Sequence, residues 1–392
     1  MNLSRIFVVA RKELTDGFRD RRAIITVLVS AMFGPFLIAF MFNQIAGQNK
    51  AAQEIKLPVV GREYGPILVN WLEQQPGVEI VAGPSDPEAA VRDGKEDVVL
   101  VIKSDFAKNF RDSRPAPVQV LSDSTRQAGQ PKVKRLTSLL ETFNGQTGSL
   151  RLIARGISPS VANALKVEEL NIANSQQRAA TALNVLLVFL MMAILTSGMQ
   201  IATDSTAGER ERSSLEPLLL NPVPRWQFAA GKWLAAATAA MIGLLAVLLI
   251  TSRVLSRLPL ESLGIRFHLG TPEILLLIAA AGPMVFLAPA MQVCLSCFAK
   301  SYKEAQSYSA FLVLAAAIPG MISVLYPTSS HPWMRPLPIF GQYALGNDIL
   351  SGKIPSPLIL IAAALEALIL SGILLAVTAR LFTSEKIIFG RS

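Results

Sequence analysis

The sequence contains few of the residues that carry metal, redox and nucleophilic chemistry. Its 392 residues include only two cysteines and two histidines. Cys294 and Cys297 fall in one apolar run without a histidine nearby, so we interpret them as small interior residues and not as a zinc or redox pair. The HExxH and GxSxG motifs are absent, which argues against an intramembrane protease or lipid hydrolase. We therefore expect no metal site and no catalytic residue.

A phosphate-binding loop is also missing from the sequence. Such a loop needs a serine or threonine directly after a glycine–lysine pair, so that the hydroxyl can hold magnesium. The three lysines that follow a glycine, Lys95, Lys232 and Lys353, precede glutamate, tryptophan and isoleucine. The chain is therefore expected to bind no nucleotide and no other cofactor by itself.

Charged residues are scarce over long stretches of the chain. They make up 17% of the residues against 51% that are hydrophobic, and the mean hydropathy of +0.43 is too high for an ordinary soluble protein. About 20 apolar residues suffice to cross a bilayer. The pattern predicts a polytopic α-helical membrane protein with six transmembrane helices, at residues 23–42, 179–203, 233–252, 274–299, 305–326 and 357–379.

The distribution of lysine and arginine predicts the orientation of these spans. The short segments at the membrane face that includes both termini, residues 1–22, 204–228, 300–304 and 380–392, contain 14 of these residues, and those at the opposite face contain 5. Because basic residues are retained on the cytosolic side, both termini are predicted to be cytosolic, with residues 380–392 as a cytosolic tail. The same bias accounts for the net charge of +9 without nucleic-acid binding.

The first 22 residues have the apolar spacing of an amphipathic helix. One face would consist of Leu3, Phe7, Ala10, Leu14 and Phe18, with charged residues opposite. Residues 1–22 are therefore predicted to form a cytosolic interfacial helix that lies flat on the inner leaflet. The alternative is a solvated helix that packs on a soluble partner.

Two segments on the predicted outer side differ in composition from the spans. Residues 43–178 contain four short apolar segments, LPVVG, VEIVAG, DVVLVIK and APVQVLSD, separated by helical patterns. They predict a large extracytoplasmic α/β domain inserted between the first and second spans, with a role in gating, cargo contact or partner docking. Residues 327–356 are rich in proline, and their apolar stretch 339–350 is too short to cross, which predicts a re-entrant or interfacial hairpin.

One acidic residue interrupts the last predicted span. Glu366 lies in IAAALEALILSG, where its apolar neighbours outweigh an insertion cost of about 2.5–3.5 kcal/mol. It is expected either to lie on an ion or cargo path or to form a hydrogen bond between helices. Gln292, followed by Gln200, is its expected partner, and these three residues define the candidate translocation path.

The connector between the second and third predicted spans, residues 204–232, is the most distinctive part of the sequence. It begins with charged residues and continues into a short leucine-rich helix, for which Ser213 or Ser214 is the expected N-cap; Ser213 and Glu216 would form a capping box. The helix is predicted to be displayed towards the cytosol. The candidate residues for contact with a partner are Glu209, Arg210, Glu211, Arg212, Leu215, Glu216, Leu218, Leu219 and Leu220.

The connector sequence GERERSSLEPLLLNPVPRWQFAAGK resembles the coupling segment of type-2 ABC exporter permeases, and most of all the sodium-efflux permeases. The basic N-terminal helix, the large outer domain and the GQYALGNDILSG segment fit the layout of that family. The resemblance implies that the leucine-rich helix docks onto a separate ABC ATPase subunit, which binds ATP and magnesium. It also implies two permeases, as a homodimer or a pair of paralogues, in the cytoplasmic membrane.

The resemblance leaves the exported cargo open between sodium ion, lipid, peptide and hydrophobic drug. A membrane sensor or scaffold with an extracytoplasmic ligand domain is the main alternative function. An intramembrane enzyme is a less favoured alternative, because both histidines lie in predicted outer loops.

Overall fold

The computed structural model describes residues 3–126, 129–162, 175–258, 269–325 and 332–384. The chain forms two compact units, one of Met1–Phe42 with Ala173–Ser392 and the other of Asn43–Ile172. Most of the predicted tail at 380–392 lies outside the described residues.

Six helices among the described residues are long and apolar enough to cross a membrane, which agrees with the six predicted spans. Each contains a long apolar window, which in α14 includes the single acid Glu366, so each predicted span becomes one helix. Their bounds are α2 Arg21–Gln53, α7 Ser175–Thr203, α10 Arg225–Leu255, α11 Thr271–Ser296, α12 Tyr302–Leu325 and α14 Pro357–Leu381.

Helix α7 is the central helix of the helical unit and packs against α10, α11 and α12. Of the six long helices, α7 is the most buried and α14 the least. A Cβ atom added to Gly243 of α10 would lie 2.1 Å from the hydroxyl of Ser197 on α7. A Cβ atom on Gly34 of α2 would lie 2.5 Å from Phe189. Glycine thus lets the helix backbones approach closely, as is common in membrane bundles.

The N-terminal helix α1, Leu3–Arg19, packs against α10 through a face that differs from the predicted apolar stripe. Ile6, Ala10 and Glu13 are buried, whereas Phe7 and Phe18 of the predicted stripe are 62% and 45% exposed. Contact of the predicted stripe with the inner leaflet stays a prediction, and the packing of Glu13 against α10 is an addition to it. The exposed phenylalanines leave an apolar surface on the other side of the helix.

A short helix, α13 Phe340–Leu350, occupies the stretch predicted to be re-entrant. It packs against α7, α11 and α12. Tyr343 is fully buried and donates a 3.3 Å hydrogen bond to the carbonyl of Ala316, while a Cβ atom on Gly320 would lie 2.7 Å from its ring. At about 1.5 Å per residue, α13 is too short to cross a bilayer.

The second unit contains a four-stranded sheet, and all four segments predicted as strands are strands. They are β1 Ile55–Val60, β2 Val78–Ala82, β3 Val98–Ile102 and β4 Val118–Ser122, arranged in the order β2-β1-β3-β4. The first three pair in parallel and β4 pairs antiparallel to β3. The helices are α3 Pro66–Glu73, α4 Pro87–Arg92, α5 Phe106–Arg111 and α6 Gln130–Ile153.

Candidate functional site in the connector

The connector continues from α7 without a break in the helix. A π-helical turn, Asp204–Gly208, leads into the short turn α8, Glu209–Glu211, and the leucine-rich helix α9 spans Leu215–Leu219. The π-helical turn is mostly buried, and the hydroxyl of Thr206 donates a 2.6 Å hydrogen bond to the carbonyl of Ala202. Single π-helical turns often occur at functional sites.

Four charged side chains form a buried ion cluster, which we define as Lys12, Glu13, Glu209 and Lys232. The ammonium of Lys232 is fully buried and lies 2.9 Å from Glu13 Oε1 and 2.6 Å from Glu209 Oε2. Lys12 forms ion pairs with the same two carboxylates, at 3.2 Å from Glu13. Two positive and two negative charges therefore balance, as the burial of charge requires. The cluster joins α1, α8 and α10.

The two lysines of this cluster have different surroundings. Lys12 is 45% exposed, whereas Lys232 is fully buried. Partial burial lowers the pKa of Lys12, but its hydrogen bonds and charge interactions with Glu209 and Glu13 outweigh this and raise that pKa above its ordinary value. Lys12 is thus protonated at any physiological pH.

Arg210 and Glu211, the two residues after Glu209, contact the ends of α11 and α12. Both terminal nitrogens of Arg210 donate 2.7 Å hydrogen bonds, one to the carbonyl of Cys297 and one to that of Ala299, just beyond the end of α11. The carboxylate of Glu211 accepts a 2.7 Å hydrogen bond from the amide of Tyr302, the first residue of α12. Each charge matches the dipole of the helix end that it contacts.

Arg212 stays within the connector and holds the π-helical turn. It forms an ion pair with Asp204 and donates a 3.2 Å hydrogen bond to the carbonyl of Gly208. Ser213 has a left-handed φ of 56°, and α9 begins two residues later, so Ser213 is not the N-cap. The hydroxyl of Ser214, the residue before α9, donates to the carbonyl of Glu209 at 3.1 Å.

The leucines of the connector do not share one surface. Leu215 is buried against Phe228, with Val9 and Val223 packed beside it. Leu220 is 81% exposed. Leu215 was predicted to contact a partner. This prediction is corrected, because other residues of the same chain bury the Leu215 side chain. Leu218 is half-buried, and the side chains of Glu216 and Leu219 lie outside the described residues.

Comparison with known proteins settles the family. The profile described as "ABC-2 family transporter protein" matches residues 21–381. The chain belongs to this ABC-2 transporter family. It is 28% identical to the ABC transporter permease protein NatB of Bacillus subtilis (strain 168) over 365 residues, which cover 91% of this chain and 92% of that protein. No solved structure matches it significantly. The resemblance inferred from the connector is thus confirmed.

The candidate path residues of this ABC-2 chain lie in separate environments. Gln292 on α11 is fully buried and donates a 2.7 Å hydrogen bond to the carbonyl of Leu195 on α7. Gln200 donates to the hydroxyl of Tyr302. Glu366 on α14 is half-buried and has no hydrogen bond or ion pair within the part of the chain that the structure describes. The expected partnership of Glu366 with Gln292 or Gln200 is therefore not formed there.

Glu13 and Lys232 are functional-site candidates that sequence reasoning missed. Glu13 falls at a helical spacing from Ile6 and Ala10, so it is an acid on an otherwise apolar face. Lys232 directly precedes the third predicted span. A lone acid and a lone base at the edges of apolar surfaces indicate an ion pair, although the sequence does not show that these two meet.

Proposed function

We propose that this chain is the membrane subunit of an ABC exporter, which moves a substrate out of the cytoplasm with ATP hydrolysed on a separate ABC ATPase subunit. Membership of the ABC-2 family and the likeness to the NatB permease support the proposal. ATP and magnesium belong to the partner in this proposal. A second permease copy or a paralogue completes the assembly in the cytoplasmic membrane, with residues 43–178 outside and both termini in the cytosol.

The observation that carries this proposal is the set of contacts made by three successive residues. Glu209 is bonded to α1 and α10, Arg210 to the end of α11, and Glu211 to the start of α12. Since the π-helical turn connects these residues to α7 without a break in the helix, a force applied to the connector would reach all the attached helices together. Such a rigid linkage is what coupling between a motor subunit and a membrane bundle needs.

The surface that docks onto the ATPase is proposed to be the exposed part of α9 and the residues that follow it. Leu220 is its most exposed apolar side chain, and Arg212 and Pro217 are also exposed. Apolar anchors usually dominate the free energy of such contacts, whereas charges at the rim adjust orientation and association rate. Glu209 and Leu215 would act from inside by fixing the position of α9.

Reconstitution tests the proposal directly. The chain and its ATPase are co-purified, placed in proteoliposomes and assayed for substrate movement driven by ATP. We expect the double variant Leu218→Ala/Leu219→Ala to loosen ATPase binding and abolish transport-stimulated ATP hydrolysis, and the double variant Lys300→Ala/Lys303→Ala to change little. A lone monomer recovered after gentle extraction at native expression, or full coupling in the leucine variant, would contradict the proposal.

A sensor or scaffold function has one observation in its favour. The α/β unit has a cavity of about 320 Å³ whose lining includes Phe106, Phe110 and Phe143. Arg151 lies over the Phe110 ring at 4.7 Å and donates a 2.8 Å hydrogen bond to the Phe110 carbonyl. Ligand binding to this unit without any ATP-driven transport would favour the sensor. A kinase or regulator encoded beside this chain in place of an ABC ATPase would do the same.

A further inference from the structure

A cavity of about 610 Å³ lies between α13, the segment that follows it, and α14. Its volume falls within the range of sites that bind drug-sized molecules. Most of its wall is apolar. The apolar side chains include Ala344, Leu345, Leu358, Ile359, Ala362 and Ala363.

The charged residues of this cavity are unequally paired. Asp348 lies 3.4 Å from Arg335 and 3.6 Å from Lys353, so its charge is matched by protein cations. Glu366 also lines the cavity but has no hydrogen bond or ion pair with any described residue. The lining thus has two cations and two acids, but among the described residues both cations pair with Asp348 and neither forms an ion pair with Glu366.

The position of Glu366 along α14 makes this unmatched charge unusual. It lies nine residues after Pro357, which at about 1.5 Å per residue is about 13 Å into the helix. It shares a helix face with Ile359, Ala362 and Ala363, at the spacing of successive turns. The cavity thus connects the start of α14 with an acid near the middle of a candidate membrane span.

We propose that this cavity binds a lipophilic monovalent cation, with the apolar body of the ligand against the alanine, leucine and isoleucine walls and its positive charge directed to Glu366. The carboxylate of Glu366 determines which of three ligand classes, a lipid acyl chain, a metal ion or a lipophilic cation, fits the cavity. An acyl chain of a lipid would offer only methylene groups to a carboxylate, and a bare metal ion would need several oxygen ligands. A hydrophobic amine or quaternary cation satisfies both the walls and the acid.

As a statement about cargo, this inference rests on the proposed export function, because only a transporter would carry the ligand onward. As a statement about binding, it needs only this chain. The test therefore begins with the full-length permease alone, in nanodiscs of zwitterionic lipid, without the ATPase. Tetraphenylphosphonium is the probe, and tetraphenylborate, an anion of the same shape, is the matched control ligand. Uptake by empty nanodiscs is subtracted.

We expect saturable binding of tetraphenylphosphonium to the wild-type chain and, in a separate titration, no saturable binding of tetraphenylborate. Glu366→Gln keeps the size of the side chain and should weaken binding about tenfold or more, since attraction between charges is strong in a partly buried site. Glu366→Asp should retain most of the affinity. Glu273→Gln, which removes an acid of α11 outside the cavity, should leave binding unchanged. Thermal unfolding of each variant verifies that it is folded.

Three results would overturn the inference: no saturable binding, equal binding of cation and anion, or full affinity in the Glu366→Gln variant. Equal binding of both ions would indicate a lipid or apolar site. A cavity covered by a second copy of the chain would give no binding and would overturn the inference as well. Probe binding in proteoliposomes that show ATP-driven flux of no substrate would contradict the export proposal only. ATP-driven flux of another substrate without probe binding would contradict this inference only.

Discussion

The ammonium of Lys232 lies 2.6 Å from the carboxylate of Glu209, although Lys232 lies in the first part of the third candidate span and Glu209 near the end of the second. The same ammonium also contacts Glu13 of α1, which is 219 residues away in sequence. Removal of one partner from a buried ion group leaves an uncompensated charge, which is costly. The connector is therefore held by the N-terminal helix as well as by its own neighbours.

Lys232→Met should destabilise the helical unit by about 3–5 kcal/mol, because Glu13 and Glu209 would then share a single half-exposed lysine. Thermal unfolding in detergent measures the change. Lys12→Met is the matched control and should have a smaller effect, since Lys12 is 45% exposed. A triple variant that also carries Glu13→Gln and Glu209→Gln should recover part of the loss. An unchanged unfolding temperature in Lys232→Met would show that the cluster does not hold the connector.

Arg210→Lys should loosen the end of α11, because an ammonium cannot reproduce the two parallel hydrogen bonds to the carbonyls of Cys297 and Ala299. We expect a loss of about 1–2 kcal/mol and a faster reaction of Cys297, which is buried, with a maleimide. A Cys294→Ser background leaves Cys297 as the only thiol of the chain.

Arg212→Lys serves as the control for this experiment. Arg212 is exposed and contacts only the π-helical turn among the described interactions, so its replacement should leave the labelling of Cys297 slow. Equal labelling rates in wild type and Arg210→Lys would mean that the arginine is not needed to hold the end of α11.

Leu220→Ala should weaken ATPase binding without a loss of stability, whereas Leu215→Ala should lower the stability of the chain. Leu220 is 81% exposed, so its truncation should change stability by no more than about 0.5 kcal/mol, yet weaken ATPase binding by about 2 kcal/mol if it anchors the contact. Leu215 is buried, and its truncation should destabilise the chain by about 2–5 kcal/mol. Affinity for the purified ATPase and unfolding temperature are measured on the same preparations. The control is Leu337→Ala, at a half-exposed leucine between α12 and α13, which should change neither the ATPase affinity nor the unfolding temperature. Full ATPase affinity in Leu220→Ala would exclude Leu220 from the docking surface.

Gly243→Ala should disturb the contact between α7 and α10, because the new Cβ atom would lie 2.1 Å from the Ser197 hydroxyl. Overpacking of this kind costs about 1–3 kcal/mol, which thermal unfolding would detect. Gly282→Ala is the control, since a Cβ atom there meets nothing within 4 Å. It should be neutral or slightly stabilising, as alanine favours helix over glycine. The combination of Gly243→Ala with Ser197→Gly should restore stability, and failure to do so would place the cost elsewhere.

The parts of this protein that sequence predicted are those encoded locally. Six long helices and four strands follow from runs and alternations of apolar residues. The family followed from the connector sequence. The ion cluster could not be predicted in this way, because Glu13 and Lys232 resemble ordinary charges at a membrane edge until the chain folds. The face by which α1 packs on α10 could not be predicted for the same reason, since a carboxylate counts as polar even where a buried lysine neutralises it.

The separation of Glu366 from Gln292 has a related cause. Hydropathy identifies polar residues inside spans but does not say how the helices are rotated. Gln292 faces α7, where its amide bonds to Leu195, and Glu366 faces the cavity beside α13. Rotation depends on close contacts such as that of Gly243 with Ser197, which connect residues far apart in sequence.

The π-helical turn at Asp204–Gly208 determines how Glu209, Arg210 and Glu211 are rotated about the helix axis. If this turn contracted into an ordinary α-helix, every residue after it would advance by about 100°. Glu209 would then point where Arg210 points now, towards carbonyl oxygens, and Arg210 would point towards the amide that Glu211 accepts. The carboxylate of Glu209 would then face hydrogen-bond acceptors, and the guanidinium of Arg210 would face a hydrogen-bond donor. An α-helical turn at this position would therefore reverse the electrostatic fit of the connector, and this change of one backbone turn would release the ends of α11 and α12 together.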